Sequence, residues 1–161
     1  MMEIKQGYSY HIKDEFFDFV QDEYLMGNKE NGNYRPHFLA IQDNKNEELY
    51  WMIPISSQVD KYKIIIEKKI KRYGKCNTIV IGKFAGRDNA FLIQNAFPII
   101  KKFFDHVHTI ENNPIMIHSK LNRELTVNLR EVIAMYRRGI HLIFPDIDYI
   151  QGKMEELLNA R

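Results

Sequence analysis

The chain has 161 residues, 45 % of them hydrophobic and 27 % charged, with a formal net charge of +2. That is enough chain for one domain with a real core and too apolar for a disordered polyelectrolyte. The small net charge does not mark a nucleic-acid binder, so the distribution of charge has to carry that question. A lone cysteine, Cys76, excludes an intrachain disulfide and suits a reducing cytoplasm. The opening "MMEIKQGYSYHIKDEFF" lacks the basic-then-apolar pattern of a signal peptide. No apolar run approaches the roughly 18 residues a membrane span needs, so a soluble cytoplasmic protein is expected.

In chain order, "GYSYHIK" (Gly7–Lys13) alternates as a short strand. Asp14 can N-cap a helix "EFFDFVQDEY" that turns Phe16, Phe19, Val20 and Tyr24 inward. Met26–Pro36 holds three asparagines, two glycines and a proline and reads as a loop. "HFLAIQD" and "ELYWMIPIS" read as paired strands joined by a polar turn at Asn44–Asn46. "VDKYKIIIEKKIKRYG" predicts a helix ended by Gly74, with Tyr62, Ile66, Ile70 and Tyr73 on one face.

"NTIVIGKF" is a strand, "AGRDNA" a turn and "FLIQN" the returning strand. "FPIIKKFFDHV" predicts a short helix with Pro98 in its first turn, and "NPIMIH" a further strand. Ser119–Arg138 predicts a long helix ended by Gly139, with Leu121, Leu125, Leu129, Val132 and Tyr136 as its apolar stripe. "DIDYIQGKMEELLNA" is the last helix. Strands early and long helices late argue an α+β fold rather than a βαβ series.

Metal and nucleophile motifs are missing. His106 and His108 have no acidic or cysteine cluster beside them, and His11, His118 and His141 read as ordinary surface or half-buried residues. No metal ligands and no cofactor are expected. What remains is a pair of short motifs. "NYRPH" places Tyr34, Arg35 and His37 at the entry to one strand, and "PISSQ" places Ser56, Ser57 and Gln58 at the exit of its partner. In an antiparallel hairpin the start of the first strand lies beside the end of the second, so the two motifs should meet.

Their composition fits metal-free RNA cleavage. That reaction needs a base for the 2′-OH, an acid for the departing 5′-oxygen, and donors for the charge on phosphorus. Histidine titrates in the right range, arginine offers a planar fork to phosphate, and serine hydroxyls add hydrogen bonds. The plain alternative is that Arg35-Pro36 only fixes an extended entry and Ser56-Ser57 only cap the following helix. Lys61–Lys75 carries Lys61, Lys63, Lys68, Lys69, Lys71, Arg72 and Lys75 against one acid, Glu67. Alone it is equally a solvated helix face; beside the cluster it reads as a track for nucleic-acid backbone. Arg123, Arg130 and Arg137 recur every seven residues, but Glu124 and Glu131 follow two of them, which favours a solvated face.

Three motifs carry a family resemblance. "GYSY", "RPHFLAI" and "IPISSQ" stand in the order seen in MazF/Kid/PemK-type endoribonuclease toxins, whose core is a small SH3-like β-barrel. The positions matching the catalytic arginine and hydroxyl residue are Arg35 and Ser56. "YHIKDEFFDFV", "NYRPHFLAI", "WMIPISSQVDKY", "YGKCNTIVIG" and "QNAFP" resemble more closely the toxins of type III toxin–antitoxin systems, the ToxN/AbiQ group and above all the CptIN family, over most of the chain. Against the ToxN pattern, His37 replaces a lysine and Val59 replaces another, which leaves Lys61 as the nearest substitute. Tyr34 stands one place out of register.

The resemblance implies a twisted antiparallel SH3-like, MazF-like barrel surrounded by helices, spanning the chain as one domain. It implies a phage-defence toxin that is a metal-independent endoribonuclease, leaving 2′,3′-cyclic phosphate and 5′-hydroxyl ends. Its partners would be target RNA and a small repeated pseudoknot antitoxin RNA that it processes and that holds it in a toxin–RNA assembly. Ser56 or Ser57 would contact the scissile phosphate, Arg35 its charge, His37 a proton, with Lys61 as helper. The basic helix and Arg123 and Arg130 would bind antitoxin RNA. Three other readings stay open: a non-catalytic RNA-binding module, a MazF-like mRNA interferase inhibited by a protein antitoxin, and a gyrase-directed or regulatory protein on the same barrel scaffold.

Overall fold

The computed structural model describes residues 3–160. In chain order its elements are β1 (Ser9–Ile12), α1 (Asp14–Val20), β2 (Lys29–Glu30), β3 (Asn33–Tyr34), β4 (His37–Gln42), β5 (Leu49–Ser56), α2 (Val59–Tyr73), β6 (Ile79–Phe84), β7 (Arg87–Leu92), β8 (Phe97–Ile100), β9 (Phe104–Val107), β10 (Thr109–Ile110), β11 (Asn113–Pro114), α3 (Ser119–Arg137) and α4 (Ile147–Asn159). Seven strands form one antiparallel sheet in the order β6-β7-β5-β4-β1-β9, with β8 added on β5. This is the α+β arrangement expected. Strands β6 and β9 end the path, and no pairing among the described residues closes it into a barrel.

Strands β4 and β5 organise everything around them. They are apolar on both faces, because side chains alternate and each face meets helices. Phe38, Trp51 and Ile53 pack with Leu125, Leu129 and Val132 of α3. Leu39 and Met52 pack on the other face with Phe16 of α1 and Ile150 and Met154 of α4. Each such side chain taken from water contributes about 1.5–3 kcal/mol, which holds the helices to the sheet. The long β5 is shared: Leu49–Met52 pair with β8, while Ile55 and Ser56 pair with β7. Its C-terminal end therefore emerges between β4 and β7.

Several elements differ from expectation. Residues 97–107 are two strands and a 3-10 turn, not a helix. All of Phe97–Ile100 is buried, and β-branched Ile99 and Ile100 suit a pleated, enclosed surface. Pro98 is tolerated because β8 pairs only with β5, so one of its edges needs no N–H. Helix α1 stops at Val20, where Gln21 takes a left-handed conformation at φ 53°. Its N-cap is Lys13 rather than Asp14, and Tyr24 lies outside it and exposed. The returning strand β7 begins at Arg87, earlier than "FLIQN" suggested. Ile70 and Tyr73 of α2 are exposed rather than buried. The 26–36 loop contains a small hairpin, β2–β3, turning at Asn31-Gly32 with φ 52° and 82°. No helix among the described residues is long and apolar enough to cross a membrane.

Candidate active site

The two motifs meet. His37 lies opposite Pro54 in the β4–β5 register, and the Ile55 N–H donates to the Pro36 carbonyl at 3.2 Å. Arg35 is buried at 4 % exposure. Its Nη1 donates to the Ile55 carbonyl at 2.9 Å and its Nε to the Gly27 carbonyl at 2.9 Å. A guanidinium held by two backbone carbonyls has its fork fixed before any ligand arrives. Arg35-Pro36 leads directly into β4, and the Arg35 guanidinium is fixed beside that entry.

The centre of the site is Glu30, which sequence reasoning missed. Its Oε1 accepts from the Ser57 N–H at 2.8 Å and the Ser57 hydroxyl at 2.6 Å. Its Oε2 accepts from the Ser56 hydroxyl at 2.6 Å and from Arg35 Nη1 at 3.0 Å. Burial pushes this carboxyl upward, but the serine hydroxyls, the Ser57 N–H and the Arg35 charge outweigh it and hold it at about 2. The available signal was "KENGNY": Asn-Gly between short flanks is a hairpin turn, and the hairpin carries Glu30 back over Ser56. Asp14 ties the same loop to α1 by accepting from Asn28 and the Tyr34 hydroxyl at 2.9 Å each.

Neither serine caps the next helix, whose N-cap is Gln58 with no side-chain cap bond, but Ser56 holds the turn before it. The Gln58 N–H donates to its Oγ at 3.2 Å, so one hydroxyl both turns the chain toward α2 and faces Glu30. Beside these groups lies a cleft of about 210 Å³, lined among others by Glu30, Tyr34, Arg35, Ser57, Asn89 and His108.

His37 is placed otherwise. It is fully buried, with Nδ1 at 3.1 Å from the Arg35 carbonyl and its ring against Phe97 and Phe17. Burial and then the Arg35 charge pull it down to about 3, so it is neutral near physiological pH. It does not line the cleft. Lys61 is exposed on the first turn of α2, its Nζ over the Tyr62 ring at 5.3 Å.

The basic residues divide. Lys63, Lys68, Lys71 and Arg72 are exposed along α2. Lys69 turns inward, donating to Thr78 at 2.8 Å and Gln94 at 3.0 Å. Lys75 pairs with Glu131 at 3.0 Å, tying the end of α2 to α3. Arg123 is exposed on α3. Arg130 lines a different cavity with Asp43 and Asn44, at the turn end of the β4–β5 hairpin, opposite the end that holds Arg35 and Ser57.

No family model and no curated protein matches this sequence. Solved structures do. One is AbiQ, a lactococcal anti-phage endoribonuclease belonging to the type III toxin–antitoxin system: TM-score 0.72, 11 % identity, covering 98 % of this chain and 100 % of that one. A second comes from work on bacterial type III toxin–antitoxin systems and selective toxin inhibition by a non-coding RNA pseudoknot: TM-score 0.70, 14 % identity, 98 % and 100 % covered. A third concerns a bacterial antiviral system regulated by a processed non-coding RNA: TM-score 0.65, 9 % identity, 92 % and 98 % covered. At these identities the likeness is one of fold, and it extends over nearly the whole length of each chain.

Proposed function

We propose that this chain is the toxin of a type III toxin–antitoxin system, an endoribonuclease that cuts single-stranded RNA without a metal and is held inactive by a pseudoknot antitoxin RNA. The seven-stranded sheet would be the counterpart of the toxin barrel. The observation that carries the proposal is the convergence of Arg35, Ser56 and Ser57 on a single carboxylate. Those donors form an anion cradle, and Glu30 fills it with two oxygens in the way two phosphoryl oxygens of RNA would. An RNA phosphate entering the cradle exchanges one anion for another, and the Glu30 hairpin shifts to admit it.

In this reading Ser57, the exposed member, donates to the scissile phosphate, and Arg35 stabilises the charge that builds as the 2′-oxygen attacks. Donors fixed beforehand need no reorganisation when that charge appears. His37 acts as a positioning residue, since it holds the carbonyl of Arg35. Lys61, Lys63, Lys68, Lys71 and Arg72 run along α2 from the cradle and supply the backbone track. The fold likeness to an anti-phage endoribonuclease, to a protein from work on toxin inhibition by a non-coding RNA pseudoknot and to one from an antiviral system regulated by a processed non-coding RNA supports the same class of partner.

The test uses protein purified free of RNA and incubated with single-stranded RNA in excess chelator. New 2′,3′-cyclic phosphate and 5′-hydroxyl ends, lost in Ser57→Ala, are expected. Salt-dependent binding with no new ends would instead establish a non-catalytic RNA-binding module.

A further inference from the structure

Two histidines outside the Arg35–Ser57 cradle stand beside it. His108 follows β9 and lines the same cleft as Tyr34, Arg35, Ser57 and Asn89. Its backbone N–H donates to the Ser9 carbonyl at 2.8 Å, which fixes it against β1. Its ring packs on Phe84 with centroids 5.3 Å apart. Its Nδ1 lies 2.8 Å from Nε2 of His11, on β1. His11 is stacked in turn on His106, centroids 4.6 Å apart. The contact is a hydrogen bond between rings, and no group of three or more candidate ligands among the described residues is arranged to hold a metal ion.

We propose that His108 is the general base that takes the 2′-OH proton in this cleft, with His11 as its positioning residue. The inference rests on the RNA-cleavage reading above and names its proton acceptor. A nucleophile, a base and a third group that orients the base is the recurring logic of such sites. His11 engages Nδ1 of His108 and leaves Nε2 as the free ring nitrogen. As the 2′-oxygen bonds to phosphorus, its proton passes to that nitrogen. The phosphorus–O5′ bond breaks, the 5′-oxygen takes a proton from water, and a 2′,3′-cyclic phosphate and a 5′-hydroxyl result.

The charged form of His108 then donates from Nδ1 to His11. That requires His11 to stay neutral, and it does: burial, followed by the neighbouring His106 and His108, pulls it down to about 4. Burial and His106 also lower His108 from its ordinary 6.5, so its resting form near neutral pH is the unprotonated one a base needs. The groups facing the pair are His106 and Asp105 from β9, Phe84 from β6, the buried His37 from β4, and Glu30, Tyr34 and Arg35 across the cleft. Asp105, 3.7 Å from His106, acts on His11 in the opposite direction and raises it, but by less than burial and the two histidines lower it.

The experiment measures single-turnover cleavage of a short single-stranded RNA by RNA-free protein, alongside binding of its uncleavable 2′-deoxy analogue. His108→Gln is expected to slow cleavage by about 10²–10⁴-fold with unchanged binding. His11→Ala is expected to slow it too, and His11→Gln, which can still accept from Nδ1, to restore part of the rate. The parent rate should rise with pH along a limb below 6.5 that His108→Gln lacks. A substrate with a bridging 5′-sulfur needs no acid for its leaving group, so the parent should keep that limb on it. This last readout does not depend on any variant folding. Loss of the limb on the sulfur substrate would overturn the base role. Parent-like cleavage by His108→Gln while Ser57→Ala is inactive would overturn the proposal and leave the cleavage reading standing. A parent that cuts no RNA sinks both.

Discussion

Replacing Glu30 with glutamine keeps the shape of the cradle and removes its charge. The parent carboxylate accepts four hydrogen bonds, at 2.6, 2.6, 2.8 and 3.0 Å, and is the carboxylate partner of a guanidinium that is 4 % exposed. Breaking a buried pair from one side costs about 3–5 kcal/mol. Here the arginine keeps two backbone carbonyls and the amide oxygen still accepts, so the cost is placed lower, at about 2–3 kcal/mol. For a chain of this size that lowers Tm by about 4–12 °C.

The pH dependence offers an independent check on that magnitude. A carboxyl that goes from 4.5 to about 2 on folding contributes about 3 kcal/mol at neutral pH. Because the folded value is depressed, that stability is fully present above 4.5 and is lost as pH falls through about 2. Near about pH 3 less than half of it remains. Chemical denaturation of the parent and Glu30→Gln at neutral pH and in acid should show the gap between them narrowing. Affinity for a 2′-deoxy oligonucleotide should rise in the variant, since phosphate no longer competes with a carboxylate for the same donors. Equal stability at neutral pH, or a gap that ignores pH, would refute the cradle argument.

Ser57→Ala should cut the cleavage rate by about 10²–10³-fold and lower Tm by only a few degrees, because Glu30 loses the 2.6 Å bond from Oγ but keeps the Ser57 N–H, Ser56 and Arg35; a thermal melt beside a single-turnover assay checks both. Gly82→Ala should destabilise by about 1–3 kcal/mol, because a Cβ there would come within 2.5 Å of Leu121 Cδ2, and adding Leu121→Ala should recover part of the loss in a double-mutant cycle. Lys69→Met should alter stability while leaving RNA affinity close to the parent, since its ammonium is bound to Thr78 and Gln94. Lys68→Ala on the exposed face of the same helix should do the opposite, lowering RNA affinity and reducing the salt slope by about 0.7 if it meets one phosphate of a single strand.

Much of this was legible along the chain. Periodicity placed β4, β5, α2, α3 and α4, and antiparallel pairing alone brought Arg35 to Ser56 and Ser57, because a hairpin's geometry is local. The 97–107 segment was misread because Pro98 is acceptable both in a helix's first turn and in a strand with one unpaired edge; only the approach of β5 chose between them. Lys69 and Lys68 look alike in sequence, and the neighbours Thr78 and Gln94 sent one of them inward.

The sequence by itself determined the strands β4 and β5, the longer helices, the hairpin and the meeting of its two motifs, since each depends on side-chain period and on residues within one turn of chain. Tertiary structure decided which further groups join them at the site and which are withdrawn from it. Glu30 arrives on a two-strand hairpin, His108 arrives through β9 laid across β1, and His37 is withdrawn under Phe17 and Phe97. Which titratable groups face a cleft, and which are desolvated behind it, follows from packing between elements far apart in the chain, and no local pattern records it.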